Sequence, residues 1–132
     1  MSAYRFELQA SAAQTDASGE TVAFHVPTVT MLMVGVDLTA YSGAGGLTVF
    51  LQGSDNGGTT WYDLQHDGAL YSSAVEAPGA AVGNTRDICD DADATKLGGH
   101  VAVYKHLPTD YIRLKWFKNG TSATFSVSAV GK

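Results

Sequence analysis

Three groups of residues in this chain have types and spacings that could do chemistry. The first is the acidic run Arg86-Asp87-Ile88-Cys89-Asp90-Asp91-Ala92-Asp93. Calcium takes about six to eight oxygen ligands, and Asp87, Asp91 and Asp93, or Asp90 with Asp93, could supply some of them from a loop. The run lacks the glycine and the terminal glutamate of an EF-hand loop, so a solvated acidic loop, or a surface meeting a basic partner, accounts for it better. No metal or other cofactor is expected. The second group is Cys89 with His100 or His106 as its base. A thiol nucleophile needs a base within hydrogen-bond reach and a third group to orient that base. Neither a nucleophile elbow, a phosphate-cradling loop nor an HExxH motif accompanies it. Cys89 therefore reads as a small, partly buried hydrophobe, and the chain as a non-enzyme. The third group is Tyr41, Tyr62, Tyr71, Tyr104 and Tyr111, which, if exposed, could stack on sugar rings or anchor a protein interface.

Composition narrows the partners. The chain has 132 residues and a net charge of −5, with Arg113, Lys115 and Lys118 the one local gathering of cations. Their near-alternation reads as a solvated strand face, and without a concentrated basic footprint no nucleic-acid partner is expected. A single cysteine excludes an intrachain disulfide and fits synthesis in a reducing cytoplasm. Neither an export signal nor an apolar run of roughly 18 residues is present, so no membrane partner is expected.

The elements that must carry these residues are strands. Leu47 to Gln52 and Thr60 to Leu64 flank Asp55-Asn56-Gly57-Gly58, a hairpin signal because Asn and Gly accept the positive φ of a tight reversal. Tyr4 to Leu8 alternates as an edge strand, and Asp16 to Gly19 reads as a turn. Thr21 to Val26 places Val22, Phe24 and Val26 on one face before Pro27 ends the run. Val29 to Leu38 is the longest apolar stretch. Leu32, Val34, Val36 and Leu38 share one face and Val29, Met31, Met33, Gly35 and Asp37 the other, which predicts a central strand partly covered on both sides, with Met31 and Met33 filling core.

Beyond Leu64 neither period is sustained, and 65–99 is expected to be a long irregular loop. His100 to Tyr104 is a short strand, Leu107 to Asp110 a corner. Tyr111 to Phe117 sets Ile112, Leu114 and Trp116 against Tyr111, Arg113, Lys115 and Phe117, and Asn119-Gly120 suits a type I′ turn into a last strand with Phe125, Val127 and Ala129 on one face. Strands recur with Gly-rich punctuation and helical spacing is never sustained. The chain is thus one all-β domain over 1–132, an antiparallel β-sandwich of about seven or eight strands, jelly-roll or immunoglobulin-like.

Ser54-Asp55-Asn56-Gly57-Gly58-Thr59-Thr60-Trp61 resembles the Asp-box hairpin of sialidases, with Asn56 where the box has its aspartate. In those families the box is a folding device remote from the active site. The resemblance implies that Ser54 and Asn56 tie the turn, that Gly57 and Gly58 complete it, and that Trp61 packs beneath it. More broadly, the LTVFLQGSDNGGTTWYDL hairpin, the Gly/Ala-rich middle and the closing YIRLKWFKNGTSATFSVSAVGK hairpin resemble small virion proteins of tailed bacteriophages. That resemblance implies a capsid decoration or cement protein, made in the host cytoplasm and carried on the capsid surface. Its partner would be the major capsid protein, and its copies, as a homo-oligomer with a trimer favoured, would bridge capsomers and gain avidity from the lattice. The N-terminal arm and the 65–99 segment are the candidate contacts, with Tyr4, Tyr71, Asp87, Asp90, Asp91 and Asp93 as candidate interface residues. The alternative is a carbohydrate-binding β-sandwich module for surface or tail adhesion.

Overall fold

Where apolar and polar residues alternate, the chain is extended. The computed structural model describes residues 4–66, 70–72 and 87–132, with the backbone alone at 70–72, 90 and 91. Eleven strands run through these residues: β1 (Tyr4–Gln14), β2 (Ser18–Glu20), β3 (Phe24–His25), β4 (Leu32–Ser42), β5 (Leu47–Ser54), β6 (Tyr62–Leu64), β7 (Leu70–Ser72), β8 (Asp87–Ala92), β9 (Gly98–Tyr104), β10 (Tyr111–Lys118) and β11 (Ser122–Gly131). All pairings are antiparallel. One sheet has the order β1-β11-β4-β9. The other runs β2-β10-β5-β6-β7, with β3 also on β10 and β8 also on β5.

This order decides between the two sandwich types. β3 continues β2 along β10, and the β6–β7 hairpin extends one end of β5 while β8 pairs with its other end. With those extensions set aside, eight principal strands remain. Numbered in chain order, they form sheets 1-8-3-6 and 2-7-4-5, in which the first and last strands are neighbours. That is the double Greek key of a jelly roll.

The core lies between the sheets. Leu32, Val34, Val36 and Leu38 of β4 and Phe125, Val127 and Ala129 of β11 face Leu47, Val49 and Leu51 of β5 and Ile112, Leu114 and Trp116 of β10, all buried. Trp116 meets Phe125 edge-on across the gap, ring centroids 5.8 Å apart at 81°, a favoured geometry for aromatic pairs.

Four expectations are corrected. Thr21 to Val26 is not one strand: β2 ends before it, Phe24–His25 within it form β3, and Val22 is exposed, because Thr21 spends its groups on β10, its N–H on the Leu114 carbonyl and its hydroxyl oxygen on the Leu114 N–H. The 65–99 segment is not irregular throughout, since it contains β7, β8 and the start of β9. β8 escaped notice because its pairing with β5 slips twice (Leu47 to Ala92, Val49 to Cys89, Phe50 to Asp87), which erases the period of two. Asn119-Gly120 does not form the type I′ turn, which needs positive φ at both positions; positive φ occurs at Gly57 and Gly58 but not at Gly120. Gly120 is required instead by close approach: a Cβ there would lie 2.6 Å from the Tyr41 hydroxyl, to which the Gly120 N–H donates at 2.8 Å. Finally, Met31, just before β4, and Met33, on its outer face, are exposed rather than in the core.

Candidate functional site

The two sheets carry different outer faces. On the seven-stranded sheet, β5 is buried at every residue, so its outward Thr48, Phe50, Gln52 and Ser54 are as covered as its inward side chains. Arg113 of β10 sits opposite Gln52 in the ladder. Its Nε donates to Gln52 Oε1 at 2.8 Å, Gln52 Nε2 donates to Asp63 Oδ1 at 2.9 Å, and the guanidinium lies 4.3 Å from the Trp61 ring centroid. Burial pulls the Arg113 guanidinium below its ordinary value, with Glu20 opposing the shift. Phe50 and Phe117 stack beside this network at 5.9 Å, and Lys115 pairs with Glu20 at 2.8 Å. These polar groups answer one another, as buried polar groups must, and the arrangement is structural.

The Asp55–Gly58 turn is built the same way. Ser54 Oγ donates to Asn56 Oδ1 (2.9 Å) and accepts from the Gly58 N–H (2.9 Å). Asn56 Oδ1 also accepts from the Thr60 N–H (2.9 Å), and Asn56 Nδ2 donates to Thr60 Oγ1 (3.0 Å). Thr109 Oγ1 donates to the Ser54 carbonyl, tying the turn to the corner before β10. Trp61 is buried below, 3.4 Å from where a Cβ on Gly58 would stand.

On the four-stranded sheet the outer face carries exposed apolar side chains, uncovered by any described strand. Met33 is 46% exposed, Val101 60% and Val103 47%. With half-buried Val130 they form an apolar ridge over β11, β4 and β9. Immediately along the same strands lies a depression of about 380 Å³ lined by Gly35, Asp37, Gly99, His100, Ser126 and Ser128, with Val101 of the ridge as one of its walls. Sequence reading missed this ridge. Its signal was present in β9, where Val101-Ala102-Val103-Tyr104 is apolar at consecutive positions and so cannot bury every side chain on one face.

Asp87 and Asp93, the two residues of the acidic run at 87–93 whose carboxylates are described, stand apart. Asp87 is buried at the start of β8, its carbonyl accepting from His66 Nε2 at 2.9 Å, whereas Asp93 follows the end of the strand and accepts from Thr95 N–H and Oγ1. Those hydrogen bonds, the hydroxyl's first, hold Asp93 below the usual carboxylate range. Five to six extended residues separate Asp87 from Asp93 by roughly 18 Å, too far for both to ligate one cation. Among the described residues no three His, Cys, Asp or Glu side chains are grouped to hold a metal. The side chains of Asp90, Asp91 and Tyr71 lie outside the described residues. Tyr4 is exposed on β1 of the other sheet.

Cys89 is fully buried opposite Val49, His100 Nε2 donates to the Lys96 carbonyl at 3.0 Å, and His106 is exposed after β9. The five tyrosines do not all lie exposed. Tyr41 and Tyr104 are buried, Tyr104 against the His66 ring edge at 5.6 Å, and Tyr111 stacks on His25 at 4.5 Å. Burial first, and the charge of Asp87 second, push the Tyr104 phenol well above its ordinary value, so it stays neutral.

Strand order and core together define the protein as a jelly-roll β-sandwich. No protein-family model and no curated protein matches the chain. Among solved structures, it is similar to the crystal structure of the SPBc2 prophage-derived protein YomS, with a TM-score of 0.55 at 13% identity, over 98% of this chain and 92% of that one. A structure of infectious bursal disease virus Gt strain overlaps at a TM-score of 0.25 and 8% identity, covering 39% of that chain, and carries no argument.

Proposed function

We propose that this chain is a structural protein of a tailed-phage particle, a non-catalytic capsid decoration or cement protein that docks on the major capsid protein from outside. The observation that carries the reading is the likeness, nearly end to end on both chains, to a prophage-derived protein. It is supported by the Asn56 hairpin and the β10–β11 hairpin, which are the parts of the sequence that resemble small virion proteins. β1 is the natural capsid contact. It is an edge strand, mostly exposed along eleven residues, with Tyr4 protruding, and edge strands present unpaired backbone groups to a partner. The carbohydrate-binding alternative has less support, since Tyr41 and Tyr104, two of the five tyrosines it would use, are buried. Cosedimentation with empty capsids, assembled from the major capsid protein encoded alongside the chain, tests the proposal. Pelleting with capsids and silence on a glycan array is the expected result; binding to glycans without capsid binding ends it.

A further inference from the structure

We propose that the bare outer face of the β1-β11-β4-β9 sheet binds a second copy of the same face about a two-fold axis, making the protein a dimer rather than the trimer its resemblance to decoration proteins implies. Register lays out the face. Gly35 pairs with Val101 on one side and Ser128 on the other. Two residues along in one direction stand Met33, Val103 and Val130. Two residues along in the other stand Asp37, Gly99 and Ser126. Alternation puts all three rows on the outer face. The first flanking row is bulky and apolar; the second is small, and its surroundings form the depression of about 380 Å³.

A two-fold axis lying in the face, and crossing the strands at the level of Gly35, exchanges those flanking rows. Val103 of each copy then sits over Gly99 of the other, Val130 over Ser126 and the flexible Met33 beside Asp37, so each ridge meets the other copy's trough. This is the self-complementarity an isologous contact demands. Charge follows the same exchange. Arg5 pairs with Val130, Lys132 lines the ridge end, and Lys105 leaves β9 there, whereas Asp37 occupies the trough end. Opposed copies bring the cations of one toward the Asp37 of the other. Glu7, level with the axis, faces Glu7 of the opposing copy, and Arg5 of each copy stands one row away from both, a cluster of two carboxylates and two cations. A partner that merely disliked water would satisfy the ridge alone, but the adjacent trough and the reversed charge select a second copy. Exposed valines and methionines thereby leave water, which is the main driving force in most protein associations.

Gly99 gives a clean test. A Cβ there meets nothing within 4 Å, so Gly99→Trp fits the single chain and blocks the trough. Sedimentation equilibrium of the intact chain is expected to give twice 13.8 kDa. Gly99→Trp is expected to raise the dissociation constant at least about tenfold, and Asp37→Lys to raise it by a smaller factor. Val22→Ser, which removes an equally exposed valine between β2 and β3, is expected to leave the dimer intact. Circular dichroism melting of each variant checks that the fold persists. A mass of one copy at concentrations up to about 1 mM, a mass of three copies, or a dimer indifferent to Gly99→Trp would overturn the proposal.

Discussion

The two outer faces of this sandwich start from the same alternation and end differently. On β10 the outward residues are Tyr111, Arg113, Lys115 and Phe117, and on β5 they are Thr48, Phe50, Gln52 and Ser54; the β5 row is buried, and the β10 row is half-buried except at Phe117, which is buried. On β4 and β9 the outward residues are Met33, Gly35, Asp37, Val101 and Val103, and they remain in contact with water. The more polar face is buried or half-buried, and the more apolar one is the more exposed. Polarity along a strand therefore does not say which face is covered. What decides is whether each polar group finds a partner, as Gln52 does between Arg113 and Asp63, because a partnered polar group can be buried at little net cost.

The sharpest way to break this comparison is to truncate equivalent outward positions. Phe50→Ala leaves a cavity beside Phe117 in the covered face and is expected to cost about 3–5 kcal/mol, read from the urea midpoint. Met33→Ala, outward on the other sheet, is expected to cost below about 0.5 kcal/mol in dilute solution. Equal losses at the two positions would mean that the bare face is covered within one chain. Next in size, Arg113→Ala removes the donor to Gln52 Oε1 and the cation over Trp61, with an expected loss of about 1–3 kcal/mol. Lys115→Ala, whose partner Glu20 is more exposed, is expected to lose less.

The Asn56 turn offers a smaller and more discriminating pair. Ser54→Ala deletes a hydroxyl that both donates to Asn56 Oδ1 and accepts from the Gly58 N–H, an expected loss of about 1–2 kcal/mol. Asn56→Asp keeps the oxygen that accepts from Ser54 and Thr60, and its second oxygen can accept from the Thr60 hydroxyl in place of the amide donor. The expected change is within about 0.5 kcal/mol, measured by thermal melting. A large loss would mean that the amide N–H is indispensable and that the likeness to the Asp-box is superficial.

Much of the fold was legible because alternation marks one-sided burial. β4, β10 and β11 announce their inward faces, and Asn56-Gly57 announces the reversal between β5 and β6. The jelly-roll order was not legible, since it depends on which distant strands become neighbours and no local residue records that β1 lies against β11. β8 was hidden by its register slips, and the covering of β5 by the fact that Gln52 and Thr48 look solvated. Met31 and Met33 misled because methionine usually fills core; only the pairing of Met33 with Val103 and Val130 reveals an outer ridge.

The smallest expected effect tests how strongly the covered face depends on its exposed rim. The hydrogen bond from Lys115 Nζ, more than the Lys115 charge, lowers the Glu20 carboxyl below its ordinary value of 4.5. A carboxyl depressed in the folded state adds stability that is fully present above its unfolded value and is lost as the pH falls through the folded one. Glu20→Gln should therefore lower stability at pH 7, and the gap from the native chain should close as the pH drops below 4.5. Because Glu20 is largely exposed, solvent screening holds the gap to about 0.5 kcal/mol or less, and about 1 M salt should shrink it further. A gap that persists in acid, measured by urea titration across the pH range, would show that Glu20 acts on β2 through packing rather than through its charge.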